Sequence, residues 1–393
     1  MCIRDRSGGY FDGAGYVKFG FPMASTITNL AWGMLEFKKG YETSGQLGNG
    51  LKAVKWGTDY LIKCYSSPNK FAGQVGKLEN DENVWGRPED IKYQRPVYFI
   101  DENAPGSDLA GETAAALAVS YLVFRDQGDL SYAMNCLTVA KKLYNFAVNY
   151  RGLYHSSITD ASSFYPSSGY RDELAWASLW LYRATNDEIY KNNFESQFAQ
   201  ETLSATPTEF SWNNKWFGVK VLAQEMQIDS RDYLSGFKSF LENGKKTPKG
   251  LYYVNKSGPL RHSSNLAFLS LIASKMQDGD FYKQFANQQL NYILGNAGRS
   301  FVVGYGVNPP QRPHHKSSSC PSSGTCTFTQ LGEAGPNPHI LYGALVGGPD
   351  ENDGYSDIRF DYIKNEVALD FNAGFQSAIA GLIELKTQQG QCN

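Results

Sequence analysis

The sequence predicts an all-α protein built as a closed ring of helical hairpins, and three features of the chain lead to this prediction. About eleven stretches carry apolar residues at helical spacing, and most of them follow one another in pairs joined by short turns. Strand-like alternation of apolar and polar residues is almost absent. The long loops fall between the pairs, so loops that carry a site would gather on a rigid helical frame.

The predicted elements follow in chain order after a loop rich in glycine and aromatic residues, Gly8–Pro22. Between the first two helix pairs, residues 66–107 are polar and rich in Pro, Gly, Asn and Asp. We expect this passage to be a functional segment without regular structure. The apolar spacing predicts helices over residues 26–41, 51–64, 109–124, 130–150, 171–185, 215–228, 229–243, 262–276 and 280–294, and a last one from Tyr362 onward.

The amino-acid composition narrows the range of possible functions. Among 393 residues, 37 basic and 39 acidic side chains give a net charge near zero, which gives no reason to expect binding to nucleic acid or to an anionic membrane. No apolar run approaches the length of about 18 residues that a membrane span needs. The 25 Tyr and 23 Phe suit either the flat faces of sugar rings or a large core.

The six cysteines do not form a C-x-x-C metal motif. Cys320 and Cys326 flank a short Pro-Ser-Ser-Gly-Thr loop and could form a disulfide bond in a secreted protein. Cys64 and Cys136 lie within helical patterns, where free thiols are the simpler interpretation.

The stretch from Tyr355 to Gly374, YSDIRFDYIKNEVALDFNAG, holds four carboxylates among aromatic residues. One of them, Glu366, has apolar neighbours in the predicted last helix. Burial there would raise the pKa of its carboxyl group and make it a usable general acid. The alternative is that Glu366 is a solvated residue on the helix surface.

This stretch resembles the C-terminal active-site signature of glycoside hydrolase family 9, the endoglucanase and cellulase family. Three other segments are similar to the family in the same order: WGRPED from Trp85, PGSDLAGETAAALA from Pro105 and SFVVGYGVNPPQRPHHKSS from Ser300. The likeness covers residues 7–386. It implies an (α/α)6 barrel, or six-hairpin toroid, in one domain over 7–388, with 1–6 unmatched and 389–393 as a tail. Because the likeness begins abruptly, we expect the first helix of the barrel to be missing.

The resemblance also implies the activity. The family hydrolyses β-1,4-glucan with inversion, needs no cofactor, and is typically secreted and monomeric. Glu366 matches its proton donor. The loop GGYFDGAGYVKF resembles the catalytic-base loop, in which Asp12 falls on the first Asp and Gly15 falls where the second Asp, the base, belongs. We therefore expect either a slow hydrolase with an altered base or an inactive relative that binds β-glucan or has a structural role.

Residues that match the substrate-binding positions of the family are spread along the chain. Four departures accompany them: Glu82 replaces a histidine, Lys316 an arginine, Phe371 a tyrosine, and Ser257 lies near a missing tryptophan platform. Each departure would weaken a contact to sugar. The matching positions are Trp85, Phe164, Tyr165, Trp212, Arg261 and His314.

The resemblance further implies a structural calcium site, whose hard oxygen ligands would come from two segments. Asn213-Asn214-Lys215 replaces an Asp-Asp-Lys stretch of the family, and the lost charge would weaken the site. The alternative for Asp172 and Glu173 is that they are carboxylates near the positive end of a helix dipole. The matching ligand positions are Ser168, Gly169, Asp172, Glu173 and Asn214.

Overall fold

Helices form most of the protein in the computed structural model, which describes residues 7–201, 207–388 and 390. The predicted N-terminal segment 1–6 and nearly all of the tail lie outside the described residues. The helices are α1 Gly20–Glu36, α2 Lys38–Thr43, α3 Leu47–Cys64, α4 Leu78–Glu82, α5 Ser107–Asp126, α6 Leu130–Asn149, α7 Tyr154–Ser157, α8 Arg171–Thr185, α9 Glu188–Glu201, α10 Trp216–Glu225, α11 Ser235–Asn243, α12 Pro259–Ala273, α13 Gly279–Asn291, α14 Lys316–Ser319, α15 Thr329–Gly332, α16 Tyr362–Asn365 and α17 Leu369–Gln388.

Six of these helices form a closed inner ring. Going round it, α1 packs on α5, α5 on α8, α8 on α10, α10 on α12, α12 on α17, and α17 returns to α1. Within residues 7–201 and 207–388, an outer layer holds α3, α6, α9, α11 and α13, each following an inner helix in the chain. The fold is therefore the (α/α)6 barrel that the sequence predicts.

The inner helices are buried on nearly all sides, because neighbouring helices cover them on both faces. On α5, every residue from Ser107 to Ser120 is buried, and alanines let the neighbouring helices approach closely. At the centre of the ring, Trp32 meets Trp176 and Trp180 edge to face, with ring centroids 5.3 and 5.6 Å away. Such pairs contribute about 0.5–1.5 kcal/mol beyond the area that they bury.

Residues 66–107 differ from their predicted lack of regular structure, because they contribute to a small antiparallel sheet. Strand β3 (Lys70–Val75) pairs with β1 (Lys18–Phe19), β2 (Tyr65–Ser67) and β4 (Val97–Ile100). Five of the six residues of β3 are buried, so the strand shows no alternation that the sequence could reveal. The sheet ties the loop before α1 to the passage that follows α3.

Two smaller predictions concern cysteines and membranes. Cys320 and Cys326 form the predicted disulfide bond, and Cys64 and Cys136 are buried thiols in α3 and α6. Among the residues that the structure describes, no helix is both long and apolar enough to cross a membrane.

Close contact between α1 and α17 leads to a stability prediction. A Cβ atom added at Gly33 of α1 would lie 3.1 Å from the Ser377 Cα atom and closer still to its side chain, whereas an alanine at Gly236 of α11 would meet open space. We expect Gly33→Ala to lower the free energy of unfolding by about 1–3 kcal/mol through overpacking. The control Gly236→Ala should raise it by about 0.5–1 kcal/mol, because alanine favours helix. Denaturant melts of both variants measure this, and equal stabilities would contradict it.

Candidate active site

The candidate catalytic and sugar-binding side chains meet at one end of the ring. Asp12 precedes α1, Tyr165 precedes α8, Trp212 precedes α10, Arg261 lies in the first turn of α12 and Glu366 precedes α17. Each inner helix except α17 is followed by an outer helix that returns, and the inner helices point in the same direction. Their N-terminal ends therefore share one face, and the residues just before them come together from the whole length of the chain.

Glu366 is not on a helix, contrary to the sequence-based prediction of one continuous helix from Tyr362. The helix stops at Asn365, Glu366 adopts an extended conformation (φ −61°, ψ 146°), and α17 begins at Leu369. Bridges to His314 and from Val367 to Val346 hold this break. The break lets the Glu366 side chain leave the helix direction and point toward the loop before α1.

The environment of Glu366 suits a general acid. Burial, with a smaller contribution from the negative charge of Asp370, raises the pKa of its carboxyl group to about 7 against the opposing effects of the Ala14 N–H and Arg261. Gly13 allows the Glu366 carboxyl group to lie against the loop before α1. Its φ of +51° is left-handed, and an added Cβ atom would lie only 2.9 Å from Glu366 Oε1. A carboxyl group that is still protonated near neutral pH can donate a proton.

Asp12 lies in the same cluster and is buried. Its Oδ2 atom accepts a hydrogen bond from the Tyr165 hydroxyl group, and its Oδ1 atom has no protein partner. Burial raises the pKa of Asp12 well above its ordinary value, and the charges of Asp370 and Glu366 add to the shift. The structure thus brings Asp12 and Glu366 together, as the sequence predicts.

Arg261 and Asp370 form an ion pair beside Glu366 that the sequence reasoning did not identify as a pair. Arg261 Nη1 lies 2.6 Å from Asp370 Oδ2, and both side chains are largely buried. The Phe371 ring packs under the guanidinium group at 5.3 Å, in a cation–π arrangement. Ser257 is exposed, and its carbonyl oxygen accepts a hydrogen bond from Arg261.

Asp81 is the functional candidate that the sequence reasoning missed. It lies in α4, far from Gly15 in sequence, yet a Cβ atom added at Gly15 would be only 3.0 Å from Asp81 Cγ and would overlap its carboxylate. Lys316 Nζ lies 3.0 Å from Asp81 Oδ2. No sequence motif pairs these segments, so only the fold could reveal this contact. The adjacent Glu82 is exposed at the end of α4.

His314 presents a defined hydrogen-bonding edge. Its Nδ1–H group donates to the Arg359 carbonyl oxygen at 2.7 Å, which leaves Nε2 as an acceptor. Burial lowers the pKa of His314 below its ordinary value, so the ring is neutral. The Trp85 ring packs edge to face against it at 5.2 Å and donates its indole N–H to Ser319. Trp85 is buried, so it supports His314 and is not an open platform.

Three aromatic side chains remain accessible. Phe164 is 49% exposed and stacks on Phe19, while Trp212 and Tyr165 are half-buried with their rings edge to face at 4.9 Å. Flat aromatic rings beside a cluster of polar side chains can pack against the C–H faces of pyranose rings. The predicted substrate positions Phe164, Tyr165 and Trp212 thus lie at the same end of the ring as the carboxylates.

The predicted calcium ligands already have partners within the protein. The Gly169 carbonyl oxygen accepts from the Ser167 hydroxyl, Asp172 Oδ2 accepts the Lys215 N–H, and the Asn214 side-chain oxygen accepts the Trp216 N–H.

Glu173 and Ser168 also contact protein groups, but the Oε2 atom of Glu173 has no hydrogen-bond partner. Glu173 is buried beside the Lys215 ammonium at 3.4 Å, and Ser168 donates its N–H to Asn213. Among the described residues, no three His, Cys, Asp or Glu side chains are grouped to hold a metal. The side-chain oxygens of Asp172 and Asn214 are thus partly occupied by protein donors, and the calcium site stays a prediction.

Comparison with known proteins shows similarity to one family over most of the chain. The profile of glycosyl hydrolase family 9 matches residues 3–379. The chain is 39% identical over 408 residues to endoglucanase A of Bacillus pumilus, which covers 97% of this chain and 60% of that protein. The chain thus spans about 60% of the length of this curated relative.

Two solved structures are similar over nearly the whole chain. An endoglucanase of the termite Nasutitermes takasagoensis has a TM-score of 0.94 and 52% identity, and covers 96% of this chain and 88% of its own. The cellulase Cel9M of C. cellulolyticum in complex with cellobiose has a TM-score of 0.90 and 32% identity, with the same coverage.

The pairing of the calcium donors leads to a measurable expectation. Adding millimolar Ca²⁺ in place of a chelator should change the melting temperature of the wild-type protein by less than about 1 °C, because protein donors compete for the oxygens of the site and a weakly bound ion stabilises the native state little. Asn214→Asp, which adds a charged oxygen donor, should increase that shift to about 2 °C or more. Mg²⁺ serves as the control. A large loss of stability with chelator in the wild-type protein would show that calcium binds despite these contacts.

Proposed function

The chain belongs to glycosyl hydrolase family 9, and we propose that it hydrolyses β-1,4-glucan chains of the cellulose type. One observation carries the proposal: Glu366, a carboxyl group with a pKa of about 7, faces a cluster of aromatic and polar side chains at the open end of the ring. The relatives support it, since they are named endoglucanases and the Cel9M structure is a complex with cellobiose.

The proposed mechanism inverts the anomeric centre. Glu366 donates its proton to the glycosidic oxygen as the bond to C1 breaks, and a water molecule attacks C1 from the opposite face. Trp212, Tyr165 and Phe164 pack against the sugar rings, and His314 Nε2 accepts a hydrogen bond from a sugar hydroxyl. Arg261 holds Asp370 in place beside Glu366, which keeps a negative charge near the acid and its pKa high.

Gly15 is the reason to expect a rate below that of a typical hydrolase. It brings no carboxylate to the position of the base, and loss of a positioned base costs about 10²–10⁴ in rate. The same glycine favours a second candidate function, a protein that binds β-glucan without cleaving it. Reducing-end assays on soluble cellulose, together with binding assays, separate the two functions.

The proposal also covers where the protein works, its oligomeric state and its need for a cofactor. A disulfide bond between Cys320 and Cys326 suits an oxidising compartment, and an insoluble polysaccharide is met outside the cell. We infer that the protein works extracellularly as a monomer on a β-glucan chain and that its catalysis uses no cofactor.

Replacement of the acid is the direct test of hydrolysis. Glu366→Gln keeps the shape of the side chain but removes the proton, so kcat on soluble cellulose should fall by about 10²–10⁴ with little change in oligosaccharide affinity. Glu42→Gln, an exposed change in α2, is the matched control and should leave kcat unchanged. If the wild-type protein and Glu366→Gln release equal reducing ends, the hydrolase proposal is wrong.

The pH dependence follows from the protonation of Glu366. The acid must carry its proton, so kcat should fall as the pH rises through about 7. Asp370→Asn removes a negative charge that raises the pKa of Glu366, while Arg261 and its opposing positive charge remain. The alkaline limb of the profile should therefore move to lower pH in this variant. A limb that stays in place would show that another group controls it.

A further inference from the structure

The carboxylate of Asp81 occupies the space into which residue 15 would direct a side chain. A Cβ atom at Gly15 would overlap Asp81 Oδ2 and lie 3.0 Å from Cγ. Gly15 is not among the residues with positive φ, so its backbone would accept any L-residue. The glycine is thus required by the neighbouring carboxylate and not by a turn. The carboxylate in this space belongs to Asp81 of α4 and not to the loop that contains Gly15.

Three donors fix the Asp81 carboxylate. Its Oδ1 atom accepts the Tyr16 N–H and the Tyr93 hydroxyl, each at 2.9 Å, and its Oδ2 atom faces Lys316 Nζ at 3.0 Å. Lys316 also donates to the Asp81 carbonyl oxygen at 2.6 Å. Asp81 is only 5% exposed, so the ammonium group compensates a charge that would otherwise be costly to bury. The carboxylate is therefore held in one orientation.

Asp81 and Glu366 bind the same short piece of backbone. Glu366 takes the Ala14 N–H, and Asp81 takes the Tyr16 N–H. Two residues of extended chain reach at most about 7 Å. The two N–H groups that hold the carboxylates are thus no more than about 7 Å apart and flank Gly15 in the chain, so the acid and the candidate base contact the same turn of the loop.

Asp12 is the other carboxyl group near this loop, and it suits the role of base less well. The Tyr165 hydroxyl group donates to it, and burial raises its pKa well above the ordinary value. A carboxyl group that keeps its proton cannot take one from water. Its position next to Glu366 agrees with a role in holding the water or the sugar.

We propose that Asp81 is the general base of this enzyme and replaces the carboxylate that Gly15 does not supply. The inference rests on the proposed hydrolase function. In the step, Asp81 takes one proton from the water while the water oxygen forms a bond to C1. The bond from C1 to the glycosidic oxygen breaks, and that oxygen takes the proton of Glu366. One water is consumed, and both carboxyl groups then exchange protons with solvent.

The first test replaces the carboxylate by its amide. Asp81→Asn should lower kcat on soluble cellulose by about 10²–10⁴ and change KM by less than about threefold, because only proton transfer is lost. Glu36→Gln is the matched control, since Glu36 is also a buried carboxylate paired with a cation, Arg183, but lies at the opposite end of α1. It should lower the melting temperature and leave kcat within about threefold.

The second test separates a base from a residue that merely fills space. Asp81→Gly next to Gly15 leaves a space beside Lys316 large enough for a small carboxylate. Added formate should raise kcat of this variant at least about tenfold and should leave the wild-type protein and Glu36→Gln unchanged. A space-filling role predicts no rescue, and absence of rescue in a folded Asp81→Gly variant overturns the proposal.

The third test moves the carboxylate back to the loop. Gly15→Asp alone would force two carboxylates into one space, so we expect a lower melting temperature and no gain in kcat. The double variant Gly15→Asp with Asp81→Asn frees that space and should recover at least the wild-type kcat. This variant also covers the case in which Asp81→Gly fails to fold. Higher activity in Gly15→Asp alone would show that Asp81 does not occupy the position, and would overturn the inference.

The failures of the two proposals are distinguishable. A wild-type protein that releases no more reducing ends than Glu366→Gln overturns the hydrolase function itself. A wild-type protein whose activity depends on Glu366 but is retained in Asp81→Asn overturns only the assignment of the base. Loss of activity in Asp12→Asn, with Asp81→Asn unaffected, assigns the base to Asp12 and likewise overturns the inference.

Discussion

The packing of α17 against both α1 and α12 closes the ring, and the site depends on this closure. Glycines make the approach close: Gly33 of α1 faces Ser377, and Gly374 of α17 faces Asn265. Ser377 also donates a hydrogen bond to the Asn29 carbonyl oxygen across the contact. Because α17 joins the last part of the chain to the first, the loop at residues 12–15 and Glu366 come to lie side by side.

The site also depends on the burial of charged groups at one end of this ring. Three carboxyl groups, Asp12, Glu366 and Asp370, share the space with one guanidinium group, Arg261. Like charges in a buried cluster cannot all ionise easily, and desolvation adds to this effect. Glu366 and Asp12 therefore keep their protons to a higher pH than carboxyl groups in water do. The environment alone thus makes an ordinary glutamate side chain a usable general acid.

The departures from the family pattern are not independent of one another. Gly15 and Lys316, two of the positions where the sequence analysis expects a departure, both lie against the same side chain, Asp81. Phe371, a third, packs under Arg261 and leaves the ion pair with Asp370 intact. Treated one by one in the sequence, these departures would each weaken a contact to sugar or remove the base. In the folded protein, Gly15 leaves space for the Asp81 carboxylate and Lys316 pairs with it.

Local sequence patterns were enough to predict most of the helices and to propose Glu366 as the acid, because apolar spacing and the signature around Glu366 are properties of short segments. The helix Arg171–Thr185 has its predicted bounds, and the ring followed from the pairing of helices. Two features of the site depend on tertiary contacts instead. The last helix breaks at Glu366, since bridges to His314 and Val346 replace helical hydrogen bonds there, and Asp81 lies against Gly15. Such contacts join segments far apart in the chain, and their energies come from burial and packing that no local pattern records.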